Sequence, residues 1–392
     1  YSAPTKEGTE AAHGAPLGED EIAGVREKLD WHHAPFEIPD DILTQWRQVG
    51  EQGREAYREW QERLDACDAT TSEAFDNAIA GDVSREIAPL INELKASFAD
   101  ESPNLATRKA SGKILEKLVN NVPGLIGGSA DLSGSNNTQV KGTELVTAAN
   151  DYAGQYIHYG VREHGMAAIM NGMSLHGGVI PYGGTFLTFT DYCRPAIRLA
   201  ALMQIRTIFV TTHDSIGLGE DGPTHQPVEH LAALRAMPGL YVMRPCDGVE
   251  TAECWQSALN TITAPSVIAL TRQNVQTRRS DSAQGENRAN KGAYILRRES
   301  NDGAPHVVLF ASGSEVEIAM QASEALASRD IDTRVVSVPC FERFFEQDQA
   351  YRDSVIGPDN AVKVGVEAAV RQSWEPIIGV NGLFVGMAGF GE

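Results

Sequence analysis

Residues 212–227 read T-H-D-S-I-G-L-G-E-D-G-P-T-H-Q-P. The seven residues before them, I-R-T-I-F-V-T at 205–211, form a β-branched apolar run of the kind that makes a buried strand. Residues 228–235 have helical spacing. Three glycines and two prolines interrupt the stretch, so it must be a long loop leaving the C-terminal end of a strand. In open α/β sheets that edge is where ligands bind. His213, Asp214, Glu220, Asp221 and His225 lie in this loop, more titratable groups than a turn needs. The loop therefore reads as part of an active site.

The same alternation of strand and helix continues on both sides. Strands are expected at 125–127, 156–159, 179–182, 241–244 and 266–271, with helices at 113–120, 162–175, 186–203 and 249–261 between them. That order predicts a parallel sheet covered by helices on both faces. Residues 280–290 are polar and turn-rich, as at a domain boundary. A second α/β unit follows, with strands at 306–311, 333–338 and 361–367 and a helix at 314–328. Upstream, 40–66 and 72–98 read as charged helices connecting neighbouring domains, and 1–38 is loop-like apart from an acidic helix at 19–29.

Composition narrows the function classes. The chain has 392 residues, enough for two or three domains, and a net charge of −20. Such a deficit of Lys and Arg excludes a nucleic-acid partner or an anionic membrane surface, which need surplus cations. Five scattered cysteines without C-x-x-C spacing predict free thiols in a reducing compartment rather than a zinc site or disulfide frame. No apolar run reaches a membrane span and no signal peptide is recognisable, so a soluble cytoplasmic protein is expected. A nicotinamide fingerprint, a P-loop and a G-x-S-x-G elbow are all missing.

Glu163, at the start of a helix after an apolar strand, has two readings. A carboxylate there meets the positive end of the helix dipole; beside aromatic rings it could instead be held for proton transfer. Phe186, Phe189 and Tyr192 recur every third residue, which suggests one face of a helix. They read either as core or as a slot for a planar heterocycle, since Gly183 and Gly184 just before them allow close approach. His213, Asp221 and His225 resemble a two-histidine, one-carboxylate metal set. Acid–base chemistry and hydroxyl recognition suit their Gly-Pro loop better, so no metal is assigned to them. Arg108, Ser135 and Arg272 come from separate segments and could converge on a phosphate. S-G-S at 312–314 reads as a tight turn, with an anion site at a helix N-terminus as the other reading.

Seven segments carry a resemblance. They are T-R-K-A-S at 107–111, G-G-S-A-D-L at 127–132, H-Y-G-V-R-E-H-G-M at 158–166, P-Y-G-G-T-F-L-T-F at 181–189, the central loop extended to Glu229, R-P-C-D at 244–247 and T-R-Q-N-V at 271–275. In these the chain closely resembles the transketolases, thiamine-diphosphate enzymes. The resemblance implies an α/β thiamine-diphosphate-binding fold with a parallel-sheet pyrimidine domain at 96–282 and a smaller, incomplete α/β C-terminal domain at 283–392. Residues 1–95 would be the end of the diphosphate-binding domain and a helical linker. It further implies that Glu163 bonds the aminopyrimidine of the cofactor and favours its imino tautomer. Phe186, Phe189 and Tyr192 would hold the pyrimidine ring, with Asp131 nearby.

By the same resemblance His213 and His225 lie near the reacting oxygens and Asp221 reads a substrate hydroxyl. Arg108, Ser135 and Arg272 clamp the sugar phosphate, and His13 reaches both cofactor diphosphate and substrate. His164 is a further proton-capable group or a helix-surface residue. The implied activity is ketol transfer from a ketose phosphate to an aldose phosphate in the pentose phosphate pathway, by a homodimer. The family's G-D-G…N segment, which holds diphosphate and Mg2+ or Ca2+, is not among these residues. A piece of a transketolase is therefore expected, with its metal ligands elsewhere. The alternatives are a non-catalytic partner half of a split transketolase, paired with a chain carrying the diphosphate-binding half, or a dihydroxyacetone synthase.

Overall fold

The computed structural model describes residues 3–280, 286–300 and 304–391. It divides into two compact units, Tyr1–Glu73 and Ala74–Glu392. The boundary expected at 282/283 falls outside the described residues. In the first unit a single-turn 3-10 helix, Glu10–Ala12, precedes helices Glu19–Lys28 and Asp40–Asp65. The Glu21 carboxylate accepts the Thr5 amide at 3.1 Å, and Lys28 pairs with Glu7 at 2.9 Å. Helix Asp40–Asp65 buries none of its residues within this structure, and Trp46 and Tyr57 stand exposed on it. The single helix expected at 72–98 is two, Ala69–Ala80 and Ser84–Glu101. Gly81 adopts the left-handed conformation, φ +67°, and Asp82 accepts the Ser84 amide, which ends one helix and starts the next.

The second unit contains both sheets. Strands β1 Leu125–Ser129, β2 Tyr156–His158, β3 Ile180–Phe186, β4 Ile208–Thr212, β5 Tyr241–Met243 and β6 Ser266–Leu270 form a six-stranded sheet in the order β2-β1-β3-β4-β6-β5. Every pairing is parallel, as the alternation predicts. Side chains alternate faces along each strand. Val210 and Ile268 join the core containing Ile114, Leu118 and Trp255, whereas Phe209 and Val267 join the one containing Met166, Met170 and Val242. Strands β3, β4 and β6 are buried throughout.

The smaller sheet has the order β11-β10-β8-β9-β7, from β7 Tyr294–Arg297, β8 Val307–Ala311, β9 Thr333–Ser337, β10 Val362–Val366 and β11 Leu383–Val385. Its edge strands β7 and β11 have no counterpart in the sequence reading, being four and three residues long. β7 runs antiparallel to β9. All five cysteines are free thiols, and four are buried. No helix among the described residues is long and apolar enough to cross a membrane.

A buried charge cluster lies between the two sheets. Arg244, fully buried just after β5, donates through Nε to Asp214 at 2.8 Å and through Nη1 to the Ser312 carbonyl at 3.1 Å and to Glu315. Glu367, just after β10, takes both arms of Arg235 at 2.7 and 2.8 Å and the Trp374 indole N–H at 2.8 Å. The Ser312 hydroxyl also donates to Glu367. The 312–314 turn is thus surrounded by carboxylates, and its anion-site reading does not survive. Burial alone would raise the Glu367 pKa, but Arg235, Arg244 and these hydrogen bonds outweigh it and hold the group at about 2. A carboxylate depressed in the folded state adds stability above its unfolded pKa and loses it as pH falls toward the folded value. The stability gap between wild type and Glu367→Gln is therefore expected to narrow as pH falls from about 4.5 toward 2 in thermal melts. A gap that does not change with pH would refute this.

Candidate active site

Because all six strands of the larger sheet are parallel, their C-terminal ends share one edge. Register aligns Ser129 with His158 and Gly184, Phe186 with Thr212, and Thr212 with Leu270. The turns after β2, β1, β3, β4 and β6 then present Glu163, Asp131 and Ser135, Phe189, His213 and Arg272 in that order across the edge.

The three aromatic residues do not share a helix face. Phe186 is the last residue of β3, Phe189 lies in the turn, and only Tyr192 belongs to helix Thr190–Met203. The rings still meet, because the turn folds Phe189 back over the strand end. Phe186 and Phe189 stack with centroids 5.6 Å apart, and Phe189 lies 5.9 Å from Tyr192. His213 stacks on Phe186 at 3.8 Å, and His225 meets Phe186 and Phe189 edge-on at 6.0 and 5.2 Å. Tyr192, 66% exposed, leaves the cluster open on one side.

His213 is buried and held in the left-handed region, φ +60°, which a non-glycine residue occupies at a cost of about 1–3 kcal/mol. Burial, with Arg108 next in weight, pushes its imidazole pKa down to about 4. The ring is therefore neutral near pH 7. Its Nε2 lies 3.8 Å from the Asp221 carboxylate, beyond hydrogen-bond distance. His213, Asp221 and His225 do not close into a metal-binding cluster. Among the described residues that geometry occurs only at Asp191, Glu229 and His230, where His230 Nε2 contacts Asp191 at 3.1 Å.

Arg108 sits in the first turn of helix Thr107–Val119, which is stapled to the end of β6. The Thr107 amide donates to the Thr271 hydroxyl at 2.9 Å, and the Thr271 amide donates to the Thr107 hydroxyl at 2.8 Å. Arg108 donates to the Ser135 backbone carbonyl at 2.8 Å, so Ser135 positions the guanidinium and leaves its hydroxyl available. Burial lowers the Arg108 pKa, and the nearby Arg272 charge lowers it further. The two guanidiniums are thus near enough for each to feel the other's charge. Arg272 meanwhile pairs with the exposed Glu220 at 2.9 Å, a contact a bound phosphate could displace.

Glu163 opens helix Glu163–His176 and is 8% exposed. Its carboxylate has no hydrogen-bond or ion-pair partner among the described residues. Helices Glu163–His176 and Thr190–Met203 lie side by side, with Asn171 donating to the Ala196 carbonyl at 2.9 Å. At their starts, burial first and Glu163 second push the Cys193 thiol up to about 12. That places Glu163 beside the first turns of the helix that carries Tyr192. Asp131 is exposed, with φ +62°, in the turn after β1. His164 is exposed on its helix. His13 lies in the unit Tyr1–Glu73 and is exposed there.

Sequence reasoning passed over Asn136 and Thr212, both fully buried behind His213. Asp214, counted there with the titratable groups of the active-site loop, belongs instead to the Arg244 cluster. The polar residues T-H-D at the strand end were the available signal for Thr212.

Three family models match the chain: transketolase, thiamine diphosphate binding domain, at 1–84; transketolase, pyrimidine binding domain, at 103–278; and transketolase-like TK C-terminal domain at 292–392. A transketolase of Cereibacter sphaeroides is 51% identical over 391 residues, covering 100% of this chain and 58% of that protein. A transketolase of Sinorhizobium medicae is 49% identical over 99% of this chain and 55% of its own length. The chain belongs to the transketolase family. Among solved structures, the transketolase from Leishmania mexicana superposes with a TM-score of 0.86 at 40% identity, over 100% of this chain and 56% of that one. The chain thus spans a little over half the length of these transketolases. A split-gene transketolase solved as an inactive β4 tetramer shares the fold, with a TM-score of 0.58 at 22% identity, over 73% of this chain and 91% of that one.

The cofactor named by the first family model can be tested against these residues. A nearly buried carboxylate without a partner among the described residues, set at a helix start on the same sheet edge as a ring cluster with one open side, fits the aminopyrimidine half of thiamine diphosphate. With the cofactor bound, the carboxylate would accept a hydrogen bond from the ring and the aromatic faces would cover it.

Proposed function

We propose that this chain supplies the pyrimidine-binding and substrate-binding part of a thiamine-diphosphate-dependent transketolase. It moves a two-carbon ketol unit from a ketose phosphate such as xylulose 5-phosphate to an aldose phosphate such as ribose 5-phosphate or erythrose 4-phosphate, a step of pentose phosphate metabolism. The observation that carries this reading is the unpaired, nearly buried Glu163 carboxylate near the start of the helix that carries Tyr192, on the sheet edge that also holds the Phe186–Phe189 stack, Arg108 and Arg272. When bound, thiamine diphosphate supplies the carbon nucleophile and the electron sink for carbon–carbon cleavage.

The chain's own groups do the rest. Glu163 holds a proton at a pyrimidine nitrogen and so sets that ring's protonation state. Phe186, Phe189 and Tyr192 fix the ring plane and exclude water. Neutral His213, with His225, donates to or accepts from the substrate oxygens next to the cleaved bond, and Asp221 accepts from the adjacent hydroxyl. Arg108 and Arg272 bind the phosphate, with the Ser135 hydroxyl as a further donor. Asp131 contributes at the cofactor from its turn; the family resemblance alone assigns His13, in the first unit, to the side of the cofactor diphosphate and its Mg2+ or Ca2+.

Exposed Ile169 and Leu175 on one helix and Tyr192, Leu199 and Leu202 on its neighbour support a second copy as the cover of this face, as in a homodimer in the cytoplasm. The domain limits 1–95, 96–282 and 283–392 belong to the same proposal.

The test mixes xylulose 5-phosphate and ribose 5-phosphate with thiamine diphosphate, Mg2+ and either this chain or the chain extended to its relatives' length. Three-carbon and seven-carbon sugar phosphates are measured, and their absence from both arms overturns the reading. Within that assay, Arg272→Ala is expected to raise KM for ribose 5-phosphate by roughly 10–100-fold, the worth of a charged hydrogen bond, while kcat changes little. Ribose without its phosphate should be used equally well by both proteins. An equal loss on both sugars would remove Arg272 from phosphate binding.

A further inference from the structure

Asn136 ends the short helix Ser133–Asn136 and is completely buried. Its amide can point only one way. Nδ2 faces the Thr185 carbonyl at 3.0 Å, which can only accept, and Thr212 Oγ1 at 2.7 Å. On the other side, Oδ1 faces the Ser129 hydroxyl at 3.1 Å. Both amide hydrogens are thereby committed, and one of them goes to Thr212. The hydroxyl hydrogen of Thr212 then has one acceptor among the described residues, Nδ1 of His213 at 2.9 Å. In the opposite arrangement the His213 ring would donate from Nδ1 to Thr212. The hydroxyl hydrogen would then be buried without an acceptor, at a cost of about 1–3 kcal/mol.

We propose that Asn136, acting through Thr212, fixes His213 as the tautomer protonated on Nε2, so that the ring offers the cleft a hydrogen-bond donor rather than an acceptor. Asn136 and Thr212 are positioning residues, since both are buried and neither reaches the cleft. Thr212 lies between β3 and β6 in a central strand, paired with Phe186 and Leu270, and cannot turn away. The left-handed backbone at His213 aims the ring back onto Phe186 and presents Nε2 on the Asp221 side. Because burial keeps the ring neutral near pH 7, its tautomer rather than its charge decides what it can do. A donor at Nε2 suits an oxygen that gains negative charge as a bond to its carbon is made or broken. That catalytic consequence rests on the ketol-transfer reading; the tautomer itself does not.

The test is a long-range proton–nitrogen NMR spectrum of the full chain labelled with 15N-histidine at pH 7, with His213 assigned by its loss in His213→Gln. The expected pattern for His213 is protonated Nε2 and bare Nδ1. Thr212→Val, which keeps shape and removes the hydroxyl, should abolish that single-tautomer pattern, and Thr212→Ser should restore it. In the ketol-transfer assay Thr212→Val should lower kcat by on the order of tenfold or more, with KM within about twofold, and Thr212→Ser should recover most of the rate. A wild-type ring protonated on Nδ1, or a Thr212→Val ring unchanged from wild type, overturns the proposal. The wild-type spectrum decides the matter even if Thr212→Val fails to fold. The expected tautomer in a protein without ketol transfer would sink the functional reading and leave this one standing; transfer with the wrong tautomer would do the reverse.

Discussion

Glu163→Gln is expected to reduce ketol transfer by about a hundredfold to ten-thousandfold while leaving the fold intact. The substitution keeps volume and hydrogen-bonding shape and removes only the ability to hold the proton. No described residue depends on the carboxylate for pairing, because it has no hydrogen-bond or ion-pair partner among them. The competing reading, a carboxylate placed only for the helix dipole, makes the opposite forecast: a loss of about 0.3–1 kcal/mol of stability and no change in rate. Steady-state rates and a denaturant melt on the same preparation separate the two. A spectroscopic marker is also built in. Cys193 is pushed up by burial first and by Glu163 second, so its thiol should titrate lower in Glu163→Gln than in wild type.

How much of this could be seen in the sequence depended on the range of the interactions. The central strands were legible because burial on both faces demands continuous apolar runs: S-V-I-A-L-T matches β6 within a residue, and I-R-T-I-F-V-T ends one residue short of β4's end but begins three residues before it. The three-residue spacing of Phe186, Phe189 and Tyr192 misled, since G-G-T-F at 183–186, after the strand expected at 179–182, reads as a turn into a helix when it is in fact the end of β3. Two glycines there suggested a break, yet the strand needs them. A side chain at Gly183 would strike the Met170 sulfur, and one at Gly184 would meet Thr138 and Asn136. β7 was invisible for a similar reason: four residues paired with β9, forty positions on, leave no local pattern. Glu163, His213 and the arginines were recognisable through motifs. Asn136 was not, because its meaning comes from Thr185 and Thr212, 49 and 76 residues away.

The same distance problem hid the second large effect, at Arg244. Replacing it with Met is expected to destabilise the protein by about 3–5 kcal/mol, the usual cost of stranding the partners of a buried charge. The melting temperature should fall by several degrees. Arg244 stands 30 residues from Asp214, 71 from Glu315 and 68 from Ser312, and it is fully buried among them. The nearby carboxylates hold its proton so firmly that its pKa rises above the ordinary arginine value, although burial works against them. Met fills much of the space and leaves Asp214 and Glu315 facing one another without a cation.

Arg244→Lys should not rescue the protein, because one ammonium cannot reach acceptors that Nε and Nη1 contact separately. The double change Arg244→Met with Glu315→Gln should recover part of the loss, since it removes a stranded charge as well as its partner. Denaturant unfolding of wild type, Arg244→Met, Glu315→Gln and the double variant measures the coupling. Additive losses, or an Arg244→Met within about 1 kcal/mol of wild type, would show that the cluster is not the clamp described. The expected loss should also be felt in the cleft. Asp214 follows His213 directly, so freeing its carboxylate loosens the backbone that holds His213 left-handed, and kcat should fall in Arg244→Met even at temperatures where the protein remains folded.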